Sequence, residues 1–464
     1  MSHRLKSRLL AGLAPLILVA GVQAPVAQAQ ALVQAAPAAV EAPVAALSPA
    51  QQALAQRAAA LGANDIDARP GPNGGLLLGG KLNGAQFALA FPATWNGDGV
   101  VYAHGYSTPG TPVAVATDPT DKSTLLKEAY GQGFAVGHSA YDKAGLGVET
   151  GSVNTLRLRN LLGGLGGQRI YVAGDSMGGG IVVTLMETHP EAFAGGLARC
   201  GVVDSWRVLL DRLLDMRVAY AFLTRGTPYA YEGDTDVRRN VIAPEPPAAV
   251  NDELAQMYVF GQMMKMAGPP LALWTAAQAD PDGPEARIVR QVTTIGGFDY
   301  DAASLAYPLV TATLATEDLT ATAGGWVYDN TGRDFSTPDM TPQEAAAINA
   351  GVQRVRADPD ALAYLERWHT ATGRIEAPLI TFHNRIDSLV PYAQEEAFAE
   401  AVARAGSQAN VAQYAVPAVK APLPGSGVEG YTHCGFDPSQ TTAAWNALRI
   451  WVETGRKPAA DAVK

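Results

Sequence analysis

The 464-residue sequence predicts an α/β fold, a mostly parallel sheet with flanking helices that is interrupted by a large helical insertion. Three observations predict it. Short apolar runs of strand length, at 99–103, 134–137, 169–173, 196–200, 378–382 and 411–416, alternate with helix-length runs. A glycine-rich turn at 174–180 joins one such strand to a helix. Between 204 and 373 helical periodicity replaces the alternation, and a stretch of about 170 residues is far too long for a connecting loop.

The N-terminus reads as a sorting signal. Arg4, Lys6 and Arg8 precede a short apolar run from Leu9 to Val22, and Ala27-Gln28-Ala29 offers a small-residue cleavage site. The run is shorter than the roughly 20 residues a bilayer span needs, so residues 1–29 are expected to be a signal peptide rather than an anchor. The protein is then exported, periplasmic or secreted, with no stable membrane span. Residues 30–74 are rich in Ala, Gln, Pro and Val and read as a leader or linker, with one short helix after Ser48 where Pro49 takes the first helical position. An antiparallel hairpin at 75–91 follows.

The first part of the core is then 75–203, the helical cap 204–373, the second part of the core 374–456, and the tail 457–464. Within the cap, Trp206 to Leu223 carries an apolar stripe broken by Arg207, Asp211, Arg212 and Asp215. Asn251 caps a helix reaching about Met266, and Thr341-Pro342-Gln343-Glu344 is a capping box.

Composition excludes several classes. Charged residues are only 17% of the chain, the net charge is −10, and no dense Lys/Arg block exists, which argues against a nucleic-acid binder. Apolar residues, at 48%, are too many for a disordered chain. The two cysteines, Cys200 and Cys434, would meet an oxidising compartment if the chain is exported; an even pair suits a disulfide, and two buried thiols are the alternative.

The chemistry is carried by Gly174-Asp175-Ser176-Met177-Gly178-Gly179, which follows a strand and opens a helix. In that context G-x-S-x-G places a serine nucleophile, Ser176, on a tight turn. The Met177 N–H lies at a helix N-terminus, where partial positive charge favours an oxyanion. His104-Gly105-Tyr106 ends an earlier strand and suits the second oxyanion donor, the backbone N–H of about Tyr106; His104 itself reads as structural. A P-loop would need Lys and then Ser/Thr where Gly180-Ile181 stands, and a trypsin-like G-D-S-G is broken by Met177. The glycines of 163–167 precede a strand, which is wrong for a dinucleotide loop. No cofactor is expected, and no HExxH or Cys/His cluster suggests a metal.

Asp387, directly after a strand beyond the insertion, is the expected acid, with Asp204 its competitor. Of the seven histidines, His433, after the last strand, has the right place for the base.

On these motifs the chain resembles the α/β-hydrolase superfamily of serine hydrolases over about Gly75 to Thr454, with the cap inserted between core strands 6 and 7. More narrowly it resembles secreted bacterial esterases and peptidases through Gly174 to Gly179, Cys200-Gly201-Val202 and Gly430 to Cys434. Tannase and feruloyl-esterase relatives also carry a Cys after the histidine but bridge it to a Cys before the nucleophile, where this chain has Asp175. In a sheet of this kind Cys200 and Cys434 are expected to approach each other, giving a disulfide that pins the histidine loop.

The resemblance implies a carboxylic ester hydrolase acting on a small-molecule or oligomeric ester. An amidase or aminopeptidase-like enzyme on the same triad is the alternative, and a non-catalytic binding protein a third. Specificity is expected from the cap, where Met257, Met263, Met264 and Met266 offer either an adaptable surface or ordinary packing, and where the segment 324–330 reads as a loop that either borders the pocket or lies away from it.

Overall fold

A computed structural model describes residues 46–233, 235–248 and 250–464; the expected signal peptide and most of the leader lie outside these residues. Helix α1 (Pro49–Ala60) starts where Ser48 and Pro49 predict it, with Ser48 and Gln51 forming a capping box. Strands β1 (Asn64–Pro70), β2 (Leu76–Leu82), β3 (Ala85–Phe91), β4 (Gly99–Ala103) and β5 (Ala135–Ser139) follow, with α2 (Thr124–Gly131) between the last two. Then come α3 (Val148–Gly164), β6 (Ile170–Asp175), α4 (Met177–Thr188) and β7 (Gly195–Arg199). After the insertion come β8 (Leu379–Asn384) and β9 (Val411–Val416).

These nine strands form one sheet in the order β1-β2-β3-β5-β4-β6-β7-β8-β9. β1, β2, β3 and β5 pair antiparallel in turn; every pairing from β5 through β4 to β9 is parallel. The parallel strands are buried on both faces, which is why they read as continuous apolar runs.

One boundary moves. Residues 64–70 were expected in the leader but form the edge strand β1 on β2. Their sequence, NDIDARP, is polar because an edge strand buries little, so no apolar alternation betrays it. With β1 counted, the insertion between core strands 6 and 7 lies between β7 and β8.

Two apolar layers clamp the sheet. On one face, Trp445 from the C-terminal helix packs edge-on against Phe134 and Tyr171, with ring centroids 5.1 Å apart in both cases. On the other, side chains of α3, α4 and the cap merge into one continuous core with Ile181, Val182 and Leu213 inside it. Each fully buried side chain of this size contributes about 1.5–3 kcal/mol.

The insertion consists of α5 (Trp206–Leu223), α6 (Asp252–Ala279), α7 (Pro284–Gly296), α8 (Ala302–Leu314), α9 (Thr316–Ala323), α10 (Pro342–Gly351) and α11 (Pro359–His369). α5 and α10 begin as predicted, α10 on the Thr341–Glu344 capping box. α6 runs well past Met266, straight through Pro269 and Pro270. Each proline removes a backbone donor, and packing on α7 and α8 holds the helix together there.

The charges that interrupt the α5 stripe have partners. Arg333 binds Asp211 at 2.8 Å and Asp215 at 2.5 Å, and the Tyr328 hydroxyl donates to Asp215 at 2.7 Å. Burial, only partly offset by Tyr328 and Arg333, pushes the Asp215 carboxyl up to about 6.

The core closes with α12 (Ala393–Ala405), a hairpin of β10 (Lys420–Pro422) and β11 (Glu429–Tyr431), and α13 (Pro438–Thr454). The hairpin precedes His433 and leans on the cap: Asp301, at the N-cap of α8, accepts from the Tyr431 N–H at 2.9 Å and pairs with Lys420 at 3.2 Å.

Candidate active site

Ser176 sits between β6 and α4 at φ 57°, ψ −122°, a strained backbone for a residue with a Cβ. The turn is possible because its neighbours lack side chains. A Cβ on Gly178 would collide with the Ala103 carbonyl, and one on Gly174 with the Gly178 carbonyl. The strain projects the hydroxyl above the carboxyl ends of the parallel strands, where open α/β sheets place their sites.

Asp175 points the other way. It forms a two-pronged pair with Arg199 at 2.5 and 2.6 Å, and Arg199 also donates to Thr441 and Ser123. This largely buried pair, one residue before Ser176, ties β6 to β7.

Three predicted residues meet. His433 Nε2 lies 2.8 Å from Ser176 Oγ, and His433 Nδ1 lies 2.8 and 2.9 Å from the two oxygens of Asp387. A carboxylate only accepts, so Nδ1 carries the proton and Nε2 is left to accept from the serine. Asp387 is fully enclosed and also accepts from the N–H groups of Leu389, Val390 and Cys434. Burial opposes its ionisation, but His433, His383 and the Val390 N–H outweigh that and hold the carboxyl below its usual range.

Asp204 is not in this chain of bonds. Its N–H donates to Gln394, its carbonyl accepts from Ala371, and burial raises its carboxyl.

His383, near the end of β8, is marked by no motif in the sequence. It is buried behind Asp387, with Nε2 2.8 Å from the Val390 carbonyl and 3.8 Å from Asp387, and with Nδ1 3.6 Å from Glu395. Burial alone would lower its pKa; Glu395 and Asp387 raise it instead. Nothing local in the sequence joins His383 to Glu395, because α12 brings the glutamate back over β8.

His104 is structural, as expected. Its Nδ1 is 2.8 Å from the Gly105 carbonyl and its ring stacks on Tyr141 at 3.8 Å. Burial, with Lys122 adding to it, lowers its pKa to about 4, so it stays neutral. The loop it holds runs beside the nucleophile: a Cβ on Gly105 would lie 3.4 Å from Ser176 Cβ.

Cys200 and Cys434 are joined in a disulfide, with Cα atoms 5.3 Å apart across a sequence separation of 234. One sulfur follows β7; the other adjoins His433, with Cys434 Sγ 3.4 Å from His433 Nε2. Closing so long a loop is worth about 5 kcal/mol in chain-entropy terms. Thiol titration of the unfolded, unreduced protein should therefore find no free thiol. Cys200→Ser/Cys434→Ser should melt at least about 5 °C lower and lose most of its activity, because the histidine loop loses its tether. A double variant with unchanged melting and turnover would show that the bond positions nothing.

Above Ser176 lies a cleft of about 650 Å³, counting its open mouth. Its walls are apolar and come chiefly from α5, through Trp206, Leu209, Leu213 and Leu214, with Ala312 and Leu319 opposite. The methionines of α6, read as either an adaptable surface or ordinary packing, do not line it. On α6, Met257 is exposed and Met266 packs within the cap. The loop 324–330 does not reach it either, since Val327 and Tyr328 are buried within the cap core. The signal for the true wall was the α5 stripe, whose leucines line the cleft with Ser176 because α5 starts just after β7.

The sheet order, with a serine after β6, an aspartate after β8 and a histidine after β9, has the α/β-hydrolase architecture. No protein-family model and no curated protein matches the chain. Among solved structures it is similar to feruloyl esterase B from Aspergillus oryzae, at 14% identity over 88% of this chain and 91% of that one, with a TM-score of 0.42. It is similar also to an esterase from Aspergillus oryzae, at 12% identity over 88% and 91%, TM-score 0.45. A rice cell wall degrading esterase, LipA from Xanthomonas oryzae, gives 12% identity over 79% and 88%, TM-score 0.37.

Proposed function

We propose that the protein is an exported serine hydrolase that cleaves carboxylic esters through an acyl-enzyme on Ser176. The observation that carries this reading is the unbroken hydrogen-bond chain Ser176–His433–Asp387 at the floor of an apolar cleft. His433 Nε2 takes the serine proton as Oγ attacks the ester carbonyl. Asp387, held ionised, stabilises the imidazolium without taking its proton. The N–H of Met177, the first residue of α4 and so without a partner in its own helix, meets the developing oxyanion with that of Tyr106. Each such donor is worth about 2.7–4 kcal/mol in the transition state. His433 then protonates the leaving alcohol, and water repeats the cycle on the acyl-enzyme.

The cleft favours esters over peptide-like amides with a free amine. An aminopeptidase would need an unspent carboxylate to hold that amine. Asp318 is the only acidic residue among those lining the cleft, and it is already engaged by Lys143 at 2.5 Å and by the Leu146 N–H at 2.7 Å. The disulfide supports export, since such bonds persist in oxidising compartments.

Fluorophosphonate labelling of the unreduced protein, with peptide mass mapping, tests the reading. A single adduct on Ser176, absent from Ser176→Ala, is expected. No adduct in folded protein would overturn the reading.

A further inference from the structure

The Tyr106 hydroxyl is buried and has no hydrogen-bond partner among the described residues, and Tyr106 lines the cleft together with Ser176. The surrounding wall is rich in leucine, with Trp206, Thr311 and Thr316 also on it; the Thr316 hydroxyl is already bonded to the Ala312 carbonyl and Arg217, and the nearby Asp318 carboxylate is occupied by Lys143 and the Leu146 N–H. Buried hydroxyls are ordinarily paired, and one that is not invites an explanation. Burial, reinforced by Asp318, pushes the phenol well above its usual range, so the group is a neutral donor.

We propose that the cleft takes an apolar, uncharged acyl group bearing one oxygen acceptor along its chain, and that the Tyr106 hydroxyl donates to that oxygen. This rests on the hydrolase reading and refines its substrate class. The largely apolar wall accepts the carbon chain. The hydroxyl supplies a selection independent of chain length, because a plain alkyl chain leaves it unpaired inside the closed site. Charged acyl groups are excluded, as no free counter-charge lines the cleft among the described residues.

The experiment compares p-nitrophenyl pentanoate with p-nitrophenyl 3-methoxypropanoate and p-nitrophenyl 4-oxopentanoate, in wild type and Tyr106→Phe. The variant keeps the ring and removes only the donor. The quantity read is the oxygenated-to-alkyl ratio of kcat/KM in the wild type divided by the same ratio in the variant, so intrinsic ester reactivity cancels. At least about fivefold for one oxygen position is expected; less than that for both overturns the proposal. The wild type alone gives a second measurement, should the variant not fold: its oxygenated-to-alkyl ratio divided by the ratio of the hydroxide-catalysed rates. It is expected to reach the same fivefold at one position, and a value near one at both overturns the proposal. Wild-type enzyme that turns over none of the three esters overturns the hydrolase reading, and this inference with it.

Discussion

On the proposed function, Ser176→Ala and His433→Ala are each expected to lower kcat on an activated ester by about 10⁶-fold, as in serine hydrolases where nucleophile and base act as one unit. The geometry makes the loss large and specific. The two side chains meet at 2.8 Å, so either substitution ends proton transfer to and from the attacking oxygen. The double variant should be no worse than either single one, because the second removal takes away nothing still working. Melting should shift by no more than a few degrees. Ser176 keeps its strained φ of 57° whether the side chain is serine or alanine, so no backbone relaxation is expected. Steady-state kinetics beside a thermal melt checks both parts. Folded Ser176→Ala with more than a hundredth of wild-type kcat would place the nucleophile elsewhere.

Asp387→Asn should cost about 10⁴-fold in kcat. The amide can offer its N–H to His433 Nδ1, which then loses its proton and turns the tautomer the wrong way for accepting from Ser176. The substitution also removes the charge that compensates the imidazolium. Two further bonds argue for a local effect, since the Leu389 and Val390 N–H groups still find the side-chain oxygen of the amide. Asp204→Asn is the control. Its carboxylate has no part in the Ser176–His433 chain, and kcat should stay within about threefold of wild type. If Asp204→Asn is dead and Asp387→Asn is active, the acid has been misassigned.

Much of this site could be read before the fold was seen. G-D-S-M-G-G between an apolar strand and a helix is a local pattern with one steric solution. Chain order then left one histidine in the right place, His433, and favoured one aspartate, Asp387. The strands themselves were visible because a parallel sheet buries both faces, so each strand is an uninterrupted apolar run. β1 was missed for the converse reason, being a polar edge strand whose stability comes from main-chain bonds to β2.

The cap was harder. Its existence followed from length and periodicity, but the wall of the cleft did not. The Met-rich segment of α6 is more eye-catching than the leucines of α5, and which helix faces Ser176 depends on how the helices stack rather than on what each contains. Helical periodicity tells which side of a helix is buried and never what it is buried against. The same limit applies to polar groups. Asp211 and Asp215 looked like breaks in an apolar stripe until Arg333, more than a hundred residues away, proved to be their partner.

Local sequence was therefore sufficient for the features governed by neighbours along the chain: the parallel strands, the tight turn at Ser176, the helix caps and the order of serine, aspartate and histidine. The packed fold was needed for everything that depends on distant residues meeting. It brought Cys200 to Cys434, set His383 behind Asp387, engaged Asp318 with Lys143 and left the Tyr106 hydroxyl without a partner. Backbone sterics and hydrogen bonding act over a few residues and leave a pattern in the chain. Burial and charge pairing act through space, and that distance is defined only once the helices have closed over the sheet.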